Sequence, residues 1–227
     1  ESVEVKVESH DGVMVPLSII YKSGNELNGK NPALIRGYGA YGMISYVYFN
    51  PLSIAWLERG GVLAVAHVRG GGAYGRDWHL AGQKTTKPNT WKDFISCAEY
   101  LIEQGYTSHD YIAGQGGSAG GITIGRAVTE RPDLFKAAII NVGDLDAVRM
   151  ETTTNGVPNI PEFGTVTIEE EFYALLEMSS YHHVKDGVDY PAVLLTHGMN
   201  DPRVEPWNSA KMTARLQAAT GSDNPVL

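Results

Sequence analysis

Five residues carry the clearest chemistry in this chain. Gly116-Gly117-Ser118-Ala119-Gly120 spells G-x-S-x-G. That spacing seats a serine on a sharp turn between a strand and a helix, with its hydroxyl exposed. Small neighbours are required because the strained backbone passes close to other chain. The following helix start brings amide groups to the place where an oxyanion would develop. The flanks fit, since Tyr111–Ala113 reads as a strand and Gly120–Arg131 as a helix that stops before Pro132. Ser118 is therefore a candidate nucleophile for acyl transfer. A second candidate, Asp201, follows the apolar run Ala192–Thr196 on a short Asn200-Asp201-Pro202 turn. A carboxylate there can orient a histidine and stabilise its cation; the same tripeptide is also a good turn in its own right.

Other chemistries are weaker. Gly70-x-Gly72-x-x-Gly75 and Gly37-x-Gly39-x-x-Gly42 both match the dinucleotide fingerprint. Each follows a strand, but neither is followed closely by a convincing helix, so a nicotinamide oxidoreductase is a minor alternative. His182-His183 reads as part of a loop with a structural role, and it lacks a third ligand at zinc spacing. No metal and no cofactor are expected. Cys97 is the single cysteine, which excludes an internal disulfide, and its apolar helical setting suits a buried structural thiol.

The elements that must position these residues are legible from pattern. Val3–Val7 and Met14–Tyr21 read as a hairpin about His10-Asp11-Gly12. Ala33–Arg36, Val62–Val68, Ala137–Val142 and Ala192–Thr196 read as strands, the longest apolar run (VLAVAHV) as one covered on both faces. Trp91–Gln104, Ile168–Met178 and Pro206–Ala219 read as helices, and Gly143–Thr167 as a loop excursion above the sheet. Strands alternating with helices predict an α/β fold with a mostly parallel sheet, helices on both sides and an opening antiparallel hairpin. The 227 residues suit one domain, 43% hydrophobic and 19% charged. A net charge of -8 argues against nucleic acid, and no apolar run reaches the length of a membrane span. The expected compartment is the cytoplasm, with a periplasmic parent left open.

Taken together, Tyr38-Gly39-Ala40-Tyr41-Gly42, GGVLAVAHVRGGGAYG (60–75), Gly116–Gly121, RPDLF (131–135) and Asp201-Pro202-Arg203-Val204 resemble, in order, the catalytic α/β-hydrolase domain of the prolyl oligopeptidases. These serine peptidases normally carry a seven-bladed β-propeller, of which the chain holds no sequence. The resemblance implies Ser118 as nucleophile and Asp201 as triad acid. It implies Tyr38 and the Ala119 amide as oxyanion donors and Arg203 as a grip on a substrate carbonyl. Tyr41 and Val204 are implied as apolar pocket walls, although buried packing explains either equally well. Peptides are the implied substrates, with short acyl esters close behind.

The chain departs from the family in several places. The family order is Ser, Asp, His, yet all seven histidines, His10, His67, His79, His109, His182, His183 and His197, precede Asp201. The last strand, the closing helix and the general base are therefore expected to be missing. Such a fragment is expected to be inactive or weakly stable alone, or to complete its sheet by associating with another chain. A Ser118–His197–Asp144 set is conceivable but approaches the serine from the wrong side. Ala174 stands where proline-cleaving members place a stacking tryptophan, and Met178 where a tyrosine is usual, which predicts a larger pocket without strict proline preference. Ala73 replaces a usual glutamate, with no evident consequence.

Overall fold

The computed structural model describes residues 1–48 and 50–227. Its strands are β1 (Ser2–Glu8), β2 (Met14–Ile20), β3 (Ala33–Gly37), β4 (Val62–Ala66), β5 (Ile112–Gly117), β6 (Ala137–Asn141) and β7 (Ala192–Thr196). Its helices are α1 (Pro51–Glu58), α2 (Arg76–Leu80), α3 (Pro88–Glu103), α4 (Gly120–Glu130), α5 (Ile160–Phe163), α6 (Glu169–Met178), α7 (Ser180–His183) and α8 (Trp207–Ala219). The strands form one seven-stranded sheet in the order β1-β2-β4-β3-β5-β6-β7. The β1–β2 and β2–β4 pairs are antiparallel and the remaining four pairs are parallel. This is the mostly parallel α/β sheet with an opening antiparallel hairpin anticipated from the alternation of elements, and it fits the α/β-hydrolase fold implied by the resemblance.

Packing follows the patterns closely. β1 alternates outward and inward residues, while β4 is buried along nearly its whole length. On α3, Trp91, Phe94, Ile95, Cys97, Ala98 and Leu101 face the core, and Gly105, at φ +74°, turns the chain out of the helix. α4 is buried from Gly120 to Thr129, which explains its small and β-branched residues directly after the serine. Its one buried cation, Arg126, lies against the Trp91 ring and reaches Glu130 and Glu177. Cys97 is fully buried, and that burial raises its thiol pKa. At the β7 edge, Val193 forms a parallel bridge with Val226.

Three expectations need correction. The excursion Gly143–Thr167 is not an open loop: it contains 3-10 turns at Ala147–Thr152 and Val157–Asn159, then α5, whose Glu162 and Phe163 are buried. His182 and His183 lie in the one-turn helix α7, tied to Ser179, rather than in a loop. A helix does follow Gly75, namely α2, but it is only five residues long. The glycines before it serve backbone contact: a Cβ on Gly70 would lie 2.1 Å from the Gly39 carbonyl oxygen. They let two loops touch and form no phosphate cradle.

Candidate active site

Parallel strands deliver their following loops to one edge of the sheet, where ligands of open α/β sheets bind. That edge gathers Tyr38 after β3, Ser118 after β5, Asp144 after β6 and Asp201 after β7. Ser118 has φ 55°, in the left-handed region, as a strained strand-to-helix turn demands. The strain is held by backbone bonds. Ser118 donates its amide to the Asn141 carbonyl at 3.0 Å, and its own carbonyl accepts from the amides of Gly121 and Asp144. A Cβ on Gly116 would lie 2.6 Å from the Gly120 carbonyl oxygen, and one on Gly121 2.6 Å from the Gly143 Cα. The small residues of the motif are thus steric requirements.

The Ala119 amide, at the start of α4, donates to no acceptor among the described residues. Tyr38 faces the Ser118 side chain. Burial raises its phenol pKa and the serine contact opposes that, so the group is a neutral donor at physiological pH. The Tyr38 carbonyl is pinned by Thr123 Oγ1 at 2.7 Å.

Asp201 Oδ1 accepts from the backbone amides of Arg203 and Val204, at 2.9 and 3.1 Å. These bonds are the main reason its carboxyl stays below the usual range. Oδ1 therefore makes the turn, while Oδ2 accepts no hydrogen bond among the described residues. Its nearest histidine, His197, lies at 3.9 Å and is committed elsewhere. His197 Nε2 donates to the Val204 carbonyl at 2.7 Å and Nδ1 contacts Ser209 Oγ at 2.8 Å. Among the described residues, no histidine hydrogen-bonds to Ser118.

Arg203 is exposed and Val204 is buried. Tyr41 lies beside Phe163, donates its hydroxyl to Asn159 Oδ1 at 2.9 Å, and has φ 58°. Ala174 and Met178 sit differently from expectation. They pack into the core on the inner face of α6, Met178 without any exposed surface, so Met178 lines no open pocket. Among the described residues, no group of three or more His, Cys, Asp or Glu side chains is placed to hold a metal ion, and no helix is long and apolar enough to cross a membrane.

A polar clamp around the Tyr38 loop had no counterpart in the sequence reading. Lys87, fully buried, donates to the Gly39 carbonyl and lies over the Phe163 ring. Glu162 accepts from the Tyr41 amide at 2.8 Å and pairs with His79 Nε2 at 2.7 Å. These partners are distant in sequence, and no local signal marks them.

Residues 47–227 match the model of the prolyl oligopeptidase family. The chain belongs to that family. It is 40% identical over its whole length to a prolyl endopeptidase of Elizabethkingia meningoseptica, covering 32% of that protein. It is 34% identical to the dual function macrocyclase-peptidase POPB of Amanita bisporigera, covering 96% of this chain and 30% of the relative. A solved prolyl endopeptidase superposes with a TM-score of 0.98 at 39% identity, over all of this chain and 34% of that one. Oligopeptidase B from Trypanosoma brucei, with covalently bound antipain, superposes at 0.96 with 34% identity, over all of this chain and 32% of that one. The chain spans about a third of the length of these relatives.

Proposed function

We propose that this chain supplies the nucleophile, triad acid and oxyanion hole of a serine peptidase that works through an acyl-enzyme. One observation carries the reading: Ser118 is held at φ 55°, faced by the Tyr38 phenol and followed by an Ala119 amide that has no acceptor among the described residues. Ser118 Oγ attacks the scissile carbonyl carbon as its proton passes to a base. The oxygen that becomes negative receives hydrogen bonds from Ala119 N–H and the Tyr38 hydroxyl. The base then returns the proton to the leaving amine, and water repeats the sequence to release the acid.

The base is proposed to be a histidine from outside these 227 residues, with its Nδ1–H on Asp201 Oδ2. Two observations support this: Oδ2 accepts no hydrogen bond among the described residues, and His197 is occupied by Val204 and Ser209. Arg203, exposed beside Asp201, is proposed to grip a substrate carbonyl, with Tyr41 and Val204 as pocket walls. Peptides are the proposed substrates, as for the prolyl endopeptidase relatives, and the whole 1–227 stretch is proposed to act as one catalytic domain.

The test compares this chain, the full-length protein and Ser118→Ala in the full-length protein on peptide anilides and p-nitrophenyl acetate. Turnover by the full-length protein alone, lost with Ser118→Ala, is expected. Turnover by this chain would place the base within it. Ester turnover without anilide turnover would favour an esterase.

A further inference from the structure

Asp144 has no part in the chemistry above, yet it is bonded to the nucleophile's own backbone. It lies two residues after Val142, whose φ of 47° is left-handed for a β-branched residue. The turn is locked from two strands. Val142 donates its amide to the Thr196 carbonyl at 2.7 Å, and Asp144 donates its amide to the Ser118 carbonyl at 3.0 Å. Gly121 lies so close that a Cβ there would be 2.9 Å from the Asp144 nitrogen. The position of Asp144 beside Ser118 is therefore rigid.

Its carboxylate is unusual for this protein. Other sequestered carboxylates have partners: Asp93 holds Arg69, Asp146 holds Lys211, and Glu162 holds His79 and the Tyr41 amide. Asp144 is half-buried, but among the described residues its side chain accepts no hydrogen bond and pairs with no cation. The titratable and charged groups near enough to act on it come from both flanking loops: Tyr38 and Tyr41 after β3, Asp201 and Arg203 after β7. These are the groups that surround the proposed oxyanion hole and substrate grip. Burial, reinforced by Asp201 and opposed by Arg203, lifts its carboxyl to about 7. A half-buried carboxylate beside the nucleophile, with no internal partner among the described residues, gains most from a cation that arrives with the substrate.

We infer that Asp144 is a specificity-determining residue that favours a basic side chain, Lys or Arg, on the residue whose carbonyl Ser118 attacks. The inference rests on the serine-hydrolase reading for the identity of that crevice.

Binding is read first without turnover, in the full-length protein carrying Ser118→Ala. Two peptides are compared, identical except for lysine or norleucine before the scissile bond. At pH 8 the lysine peptide is expected to bind about tenfold more tightly, equivalent to about 1.4 kcal/mol. The ratio should fall towards one at pH 5.5, where Asp144 is protonated while lysine keeps its charge. It should also fall towards one at pH 8 when Asp144→Asn is added. Equal affinities at pH 8, or a lysine preference that survives Asp144→Asn, would overturn the inference. Turnover of the matching anilides by protein with Ser118 intact separates the two readings. No turnover of either anilide counts against the hydrolase, while the binding ratio still decides the role of Asp144. A kcat loss in Asp144→Asn that is equal for both substrates, with the selectivity ratio unchanged, would make Asp144 part of the proton relay and overturn its role in specificity.

Discussion

Lys87 offers the sharpest test of how the Tyr38 loop is held. Its ammonium is fully buried and donates to the Gly39 carbonyl, one residue from Tyr38. Burial lowers its pKa from the ordinary lysine value of 10.5 to about 8, with Glu162 opposing that fall. The folded state thus binds fewer protons than the unfolded state between about pH 8 and 10.5. The destabilisation is present in full below the folded pKa and is relieved as pH rises towards the unfolded one. Integrating those two pKa values from pH 7.5 to pH 10 gives a rise in unfolding free energy of about 2.5 kcal/mol from this one group. The perturbation is Lys87→Met, which keeps an unbranched stem and removes the titration. The assay is urea denaturation of both proteins at pH 7.5, 9 and 10, read as the difference between them so that groups unaffected by the substitution cancel. The wild type should gain on Lys87→Met by about 2.5 kcal/mol across that range. A difference that stays flat within about 0.5 kcal/mol would refute the buried, charged lysine.

Three further outcomes follow from the same geometry. Tyr38→Phe removes one of two proposed oxyanion donors and should lower kcat of the full-length protein by about 10²–10³ with little change in KM, measured by steady-state kinetics. Glu162→Gln loses the carboxylate that holds both the Tyr41 amide and His79; it should cost about 1–3 kcal/mol in denaturant stability, and kcat should fall more than KM rises. Gly121→Ala forces a methyl to within 2.6 Å of the Gly143 Cα; it should destabilise the fold by about 1–3 kcal/mol and lower reaction with a serine-directed fluorophosphonate, whereas a wild-type-like melting temperature and labelling rate would contradict the tight elbow.

How much of this was readable in the amino-acid order depends on the range over which each constraint acts. Strand periodicity acts between neighbours, so the β1–β2 hairpin and β3 to β7 were legible, with boundaries shifted by a few residues at most. The chief strand shift was β5, which runs on through Gly117 because its glycines pair with β6 despite their poor strand propensity. α1 was not anticipated, since it buries no residue and has little amphipathic pattern; its signal is the Asn50 cap on the Leu52 amide with Pro51 at the first turn. The turns and α5 inside the excursion were missed because their anchors, Glu162 and Phe163, are set by contacts with Tyr41 and Lys87 far away in the chain.

The same distinction of range separates the two halves of the site. A serine at positive φ needs small residues immediately beside it, because the backbone there touches Gly120, Asn141 and Gly143. That demand is local, so it leaves a local pattern. The groups that hold the Tyr38 loop answer a different demand, a carbonyl and an amide that must be satisfied in a buried place. Any element that reaches them can satisfy it: Glu162 does so from 121 positions away. Lys87 lies in a polar stretch, and only the fold encloses it. Asp144 is the intermediate case. Its position beside Ser118 is set by the tight passage of Gly121 against Gly143 and is local in space, yet its charge environment comes from β3 and β7 and exists only once the strands are ordered side by side. Residues that bear strain are therefore visible in the chain, and residues that relieve it or use the resulting crevice become visible only in the fold.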